Sequence, residues 1–129
     1  MKLVMITSFV AGVGYGSFHI GRNTADPKIV KAYQEVIKEV DGPSPVMDRI
    51  AKCESSAQHL DKNGQVQINI NTNHTIDIGL YQINSIWEAQ ATKLGLNLYN
   101  EADNKAFAMW LYKNKGTGAW SASSKCWNK

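Results

Sequence analysis

From Leu3 to Gly21 the chain carries no formally charged side chain, and this run withdraws about 19 residues from whatever the remainder can fold into. It follows Lys2, and a short basic start before an apolar stretch is the pattern of a secretory signal peptide, with Gly14 and Gly16 as small residues before a cut at Ser17. No A-x-A site stands there, and the run approaches the roughly 20 residues that span a bilayer. Residues 1–22 are therefore read as a cleaved signal peptide or as an N-terminal membrane anchor, with a buried helix of the fold as a third reading. The first two both predict export, to an extracellular, cell-wall or periplasmic space.

What remains supports one small domain with a limited core. Such a core gains from a staple, and Cys53 and Cys126 are the only cysteines. In an exported chain a pair is expected to be a disulfide; the alternative is two unrelated buried thiols. Closing a loop of about 73 residues would constrain the unfolded chain by roughly 4 kcal/mol. The formal net charge of +3 and a pI near 8.9 suit work on an anionic polymer such as a cell wall. Lysines and arginines form no basic stripe and no nucleic-acid motif is present, so no nucleic-acid partner is expected. The chain is read as a monomer.

Asp26-Pro27 starts a helical pattern in which Ile29, Val30, Tyr33, Val36, Ile37 and Val40 recur on one face. Asp41-Gly42-Pro43-Ser44-Pro45 ends it, so residues 23–45 read as an amphipathic helix and linker, expected to pack on the domain formed by residues 46–129 because its apolar stripe would otherwise stay wet, with a spacer from the membrane as the other reading. There Ser44-Pro45 opens a helix whose face is Val46, Met47, Ile50, Ala51, Cys53 and Ala57. Glu54 borders that face. Partial shelter raises a carboxylic acid's pKa toward the value that a general acid needs. Asp61-Lys62-Asn63-Gly64 is a turn without the spacing of a calcium loop. Val66, Ile68 and Ile70 alternate as in a half-buried strand, and Thr75 to Ile78 reads as the return strand of a small hairpin, with Asp77 near a groove wall. His59 and His74 lack ligand spacing and are read as turn and surface residues; no metal and no cofactor are expected. Ser85-Ile86-Trp87-Glu88 is a capping box for a helix reaching Leu94, which places Gln82 and Asn84 in the preceding turn. Their amides can both donate and accept, as sugar hydroxyls and acetamides require, and Gly79 permits close backbone approach. Asn100 caps a last helix up to Gly116, with Phe107 and Trp110 as core. Trp120 follows in a loop, either as a stacking platform for a pyranose or as core.

Cys53-Glu54-Ser55 followed by Asp77-Ile78-Gly79-Leu80-Tyr81-Gln82-Ile83-Asn84-Ser85 resembles the lysozyme-like superfamily over roughly Val46 to Trp127. The D-x-G-x-x-Q-I-N-S block is shared with c-type lysozymes. The soluble-type lytic transglycosylases share T-D-I-G-L-M-Q-I-N-S, with Tyr81 here in place of Met and Ile76 inserted after Thr75. Resuscitation-promoting factors share C-E-S and a late Gly118-Ala119-Trp120 before Cys126. The resemblance implies an α+β, mostly α, lysozyme-like fold with a small β-hairpin beside the catalytic helix, acting on peptidoglycan glycan strands. It implies Glu54 as catalytic acid, Asp77 as a second carboxylate, and Ser55, Gly79, Tyr81, Gln82, Asn84 and Trp120 as substrate-binding residues. In the transglycosylases a tyrosine stands near the acid; here Leu111 takes that position and Tyr112 is one residue out of phase, about 100° around a helix.

Two reactions fit this resemblance. A lytic transglycosylase cuts the MurNAc-GlcNAc β-1,4 bond with Glu54 alone and leaves 1,6-anhydro ends, whereas a muramidase hydrolyses it with Glu54 and Asp77. Asp77 lies 23 residues after Glu54, longer than expected of c-type lysozymes, and their dense cysteine framework is missing; both facts favour the transglycosylase. An inactive glycan-binding module is the reading of another class, and it would have no need of Glu54.

Overall fold

The computed structural model describes residues 44–129 continuously and, before them, Asp26, Pro27, Lys28, Lys31 and Glu35. The expected signal or anchor at residues 1–22 and the apolar stripe of the 23–45 helix lie outside the described residues. Pro27, Lys28, Lys31 and Glu35 are helical, and Asp26 Oδ1 accepts the Lys28 N–H at 2.8 Å. Among the described residues no helix is long and apolar enough to cross a membrane.

The domain is a mostly helical α+β structure around a small antiparallel sheet. Helix α1 (Pro45–Ser55) buries Met47, Ile50 and Ala51 at helical spacing. Pro45 takes the first helical position as expected, although Ser44 makes no side-chain cap. The helix ends on two successive left-handed residues, Ser56 and Ala57, each at φ 58°. Such residues cost energy without glycine, so this sharp exit is held by the contacts around it. Ala57, expected on the apolar face, is exposed there.

The hairpin forms as β1 (Ile68–Ile70) against β2 (Ile76–Ile78), and the sequence reading missed a third strand, β3 (Ile83–Asn84), that pairs with β2. Asp77 stands opposite Asn69 on one side and Asn84 on the other, so the alternation puts these polar residues on one face and the isoleucines on the other. The expected capping box also differs. Ser85–Trp87 is a 3-10 turn capped by Asn84, and only Glu88–Lys93 (α2) is α-helical. Ser85 Oγ accepts the Ile76 N–H instead, at 3.1 Å, tying this turn to the sheet.

Helix α3 (Glu101–Lys115) starts at its Asn100 cap and stops at Gly116, as its sequence predicts. A 3-10 segment, Gly116–Ser123, kinks at Trp120 and leads into the one-turn α4 (Ser124–Trp127). Phe107, Leu111, Met47, Ile50, Ile78 and Ile83 are essentially inaccessible and join α1, α3 and the sheet. Trp110 stacks on Phe107 at 5.3 Å but is only half-buried. Cys53 and Cys126 form the disulfide, with Cα atoms 6.0 Å apart, and Arg49 Nε–H donates to the Trp127 carbonyl at 2.8 Å. The first and last helices of the domain are thus clamped together.

Candidate active site

A groove of about 460 Å³ runs between two unlike walls. The helical wall presents Glu54, Leu111, Ala119, Trp120 and Ala122; the sheet wall presents Asn71, Thr72, Asn73, Thr75, Asp77 and Asn84. Gln82, Ile83 and Trp87 complete it.

Glu54 lies in the last turn of α1, half-buried. Burial pushes its carboxyl above the ordinary range, the Ser123 hydroxyl donating to Oε1 at 2.5 Å pulls it down, and the charge of Asp77 pushes it up again. A carboxylic acid that keeps its proton further up the pH scale can act as a general acid. Asp77 is placed differently. Asn84 Nδ2 donates to its Oδ1 at 2.8 Å and Asn71 Nδ2 to its Oδ2 at 3.0 Å. The same two amides reach Thr75 Oγ1, at 2.9 and 3.1 Å, and Thr75 passes its own hydrogen to Asn73 Oδ1 at 2.7 Å. Amide donors on both oxygens fix the orientation of this carboxyl in the wall.

The residues expected to touch sugar divide. Gln82, Asn84 and Trp120 line the groove; Ser55, Gly79 and Tyr81 do not. Ser55 is buried, donating to the Leu80 carbonyl at 2.6 Å and accepting the Gln58 N–H, so its hydroxyl fastens the end of α1 to the turn before β3. Gly79, at φ 70°, does admit a close approach, but from the protein: a Cβ would collide with the His59 ring and stand 2.9 Å from Asn104 Nδ2. Tyr81 is 2% exposed and meets Trp120 edge-on at 6.2 Å. Burial, with the charge of Asp48, pushes its hydroxyl up to about 12.

Asn84 lines the groove with its amide engaged internally, both hydrogens on Asp77 and Thr75 and its oxygen on the Ile86 N–H. It shapes the wall. Gln82 Nε2 donates to the Gly79 carbonyl at 2.8 Å and to the Gln67 carbonyl at 3.4 Å, so its amide nitrogen is engaged within the protein. Trp120 is core and floor at once: 3% exposed, it donates Nε1–H to the Tyr81 carbonyl at 2.9 Å while its ring closes the groove.

His59 corrects the surface reading. It is 4% exposed, accepts the Leu80 N–H at Nδ1 and, since a carbonyl only accepts, donates from Nε2 to Tyr99 O at 3.0 Å. It is a neutral bridge within the core. Beside it Asn104, fully buried, accepts the Tyr81 N–H and donates to the carbonyls of Ile78 and Leu98, which fixes the strand-turn-strand block beneath the groove. His74 is exposed in its turn. Among the described residues no group of His, Cys, Asp and Glu could hold a metal ion.

Sequence reading missed Trp87, Ser123 and the Asn71–Thr75 wall. Trp87, which the sequence places in a capping box, is half-buried against Phe107 and offers the groove a second aromatic face. The unbroken polar run Asn71-Thr72-Asn73-His74-Thr75 after Ile70 was the available signal for the wall. Leu111, where the resemblance expects a tyrosine, lines the groove, and Tyr112 does not. No protein-family model, curated protein or solved structure matches this chain.

Proposed function

We propose that this protein is an exported, lysozyme-like lytic transglycosylase that cuts the MurNAc-GlcNAc β-1,4 bond of peptidoglycan with Glu54 as its acid and base. The observation that carries the reading is Glu54 itself: a carboxyl held above its ordinary range by burial, in a groove whose opposite wall offers amides and hydroxyls. Glu54 gives its proton to the leaving glycosidic oxygen. It then takes the proton of the C6 hydroxyl of the same sugar, whose oxygen closes on C1 to leave a 1,6-anhydro end. The wall around Glu54 is apolar, with Leu111, Ala119, Trp120 and Ala122; it disfavours water and so favours capture by the sugar's own hydroxyl. The disulfide supports an oxidising compartment, in keeping with export.

A muramidase is the second reading, favoured by Asp77. It lines the same groove as Glu54 and its charge raises that carboxyl, and an ionised carboxylate there would stabilise the positive sugar. Mass analysis of the products from purified peptidoglycan separates the two, because anhydro ends lack one water. Anhydro ends are expected; reducing ends alone would establish the muramidase, and intact glycan under every condition would leave a binding module.

A further inference from the structure

Ser123 stands where three groups converge. Trp127 Nε1–H donates to its Oγ at 3.1 Å, Glu54 Oε1 lies 2.5 Å away and the Trp120 carbonyl 3.1 Å away. A hydroxyl has one hydrogen and two acceptor sites. The indole fills an acceptor site, so the one hydrogen must choose between two oxygens. The shorter path, to the group that becomes negative, is the stronger.

The hydroxyl is held in place from behind. Trp127 is buried and shares its Nε1–H with the Trp120 carbonyl at 3.0 Å, Arg49 grips its backbone carbonyl, and the neighbouring Cys126 is bonded to Cys53 on α1. Glu54 Oε2, by contrast, meets no donor among the described residues. One oxygen of the acid is occupied by the protein and the other is left to the groove.

We propose that Ser123 is a positioning residue for Glu54: it keeps Oε1 as an acceptor, so that the proton exchanged with the glycan is carried on Oε2. This rests on the reading of Glu54 as acid and base. In the first step Oε2–H gives its proton to the glycosidic oxygen as the C1–O bond breaks and its electron pair leaves on that oxygen. The carboxylate so formed is met by a donor already in place on Oε1. In the second step the C6 oxygen bonds to C1 and its proton passes to Oε2, which restores the neutral acid. The Ser123 hydrogen stays on Ser123 in both steps.

The charged surroundings make the role measurable. Asp77, from β2, acts on Glu54 and raises it, as burial does; the Ser123 bond is the lowering influence. The 116–123 segment has no charged side chain, the Lys125 of α4 is exposed, and Arg49 on α1 is turned to Trp127. Removing the hydroxyl therefore leaves only influences that raise the carboxyl.

Carboxyl 13C NMR of the full-length, disulfide-bonded chain reads the Glu54 titration without substrate. Ser123→Ala, checked for folding by near-ultraviolet circular dichroism, should move that titration upward by about 1 pH unit, the size expected for one charge-assisted hydrogen bond. Ser123→Thr, which keeps the hydroxyl, should restore it. In the pH profile of kcat/KM the basic limb, where the acid loses its proton, should rise with Ser123→Ala by the same amount; a merely structural role would lower the Tm and leave the limb unmoved. An unmoved titration in folded Ser123→Ala overturns the inference. A titration that moves while even the wild type leaves peptidoglycan intact upholds the coupling and overturns the enzymatic reading instead.

Discussion

The two walls of the groove each hold one carboxylate, and they treat it in opposite ways. Glu54, on the helical wall, is half-buried among apolar side chains with a single hydroxyl donor. Asp77, on the sheet wall, has an amide on each oxygen, and those amides are themselves braced by Thr75 and, through Asn84, by the turn after β3. Desolvation favours the protonated form and donated hydrogen bonds favour the ionised one. Burial thereby raises the carboxyl on the helical wall, while the sheet wall fixes its own carboxyl through an amide on each oxygen.

Glu54→Gln tests the helical wall most severely. The amide keeps an oxygen for Ser123 but has no proton to give, so release of muropeptides should fall by about 10²–10⁴-fold in a folded protein. Near-normal release would break the contrast, since either carboxylate would then suffice. Next in size is the staple behind that wall. Cys126→Ser opens a loop of 73 residues and should lower stability by roughly 4 kcal/mol in the loop-entropy picture, read by urea unfolding of the variant against the wild type.

Asp77→Asn sharpens the comparison from the other side. The new amide brings its own NH2 against Asn71 or Asn84, so the wall loses a donor-acceptor match costing roughly 1–3 kcal/mol. Activity should drop by about tenfold, far less than for Glu54→Gln, and the Glu54 titration should move down in pH because a like charge is gone. Near-complete loss of activity, with reducing ends from the wild type, would make Asp77 the partner in a hydrolytic mechanism.

The smallest effect is on stability. Because burial raises Glu54 above its unfolded value, both states are protonated below about pH 4.5 and the folded state is penalised progressively as pH rises through the folded pKa. Glu54→Gln should therefore raise the Tm at pH 7, and that gain should fade below about pH 4.5. A gain that persisted in acid would have a cause other than the carboxyl's charge.

Helix periodicity puts Glu54 on the border of the Met47–Ile50–Ala51 face and strand alternation sets Asp77 on the face away from the isoleucines, but both are singled out only because they stand in the blocks Cys53-Glu54-Ser55 and Asp77 to Ser85 that carry the resemblance. The directions of Ser55, Gly79 and Tyr81 were not legible. Gly79 and Gln82 both adopt positive φ, 70° and 44°, and two such reversals within four residues erase the alternation from which a side chain's direction is read. His59 was hidden for another reason: its partners, Leu80 and Tyr99, are 21 and 40 residues away. Ser123 belongs to a run of small residues with a kink at Trp120, where no period survives; only the folded chain brings it to Glu54, 69 residues earlier.

The Cys53–Cys126 bond also makes the domain topologically a ring. Glu54, Asp77 and Ser123 all lie on the covalent loop that it closes, as does the exposed hairpin turn at Thr72, Asn73 and His74. Exposed loop tips of this kind are where proteases cut first. A single cut there would leave the two fragments joined through sulfur, with both walls of the groove still tethered to each other. The staple turns a nick from a severance into an opening.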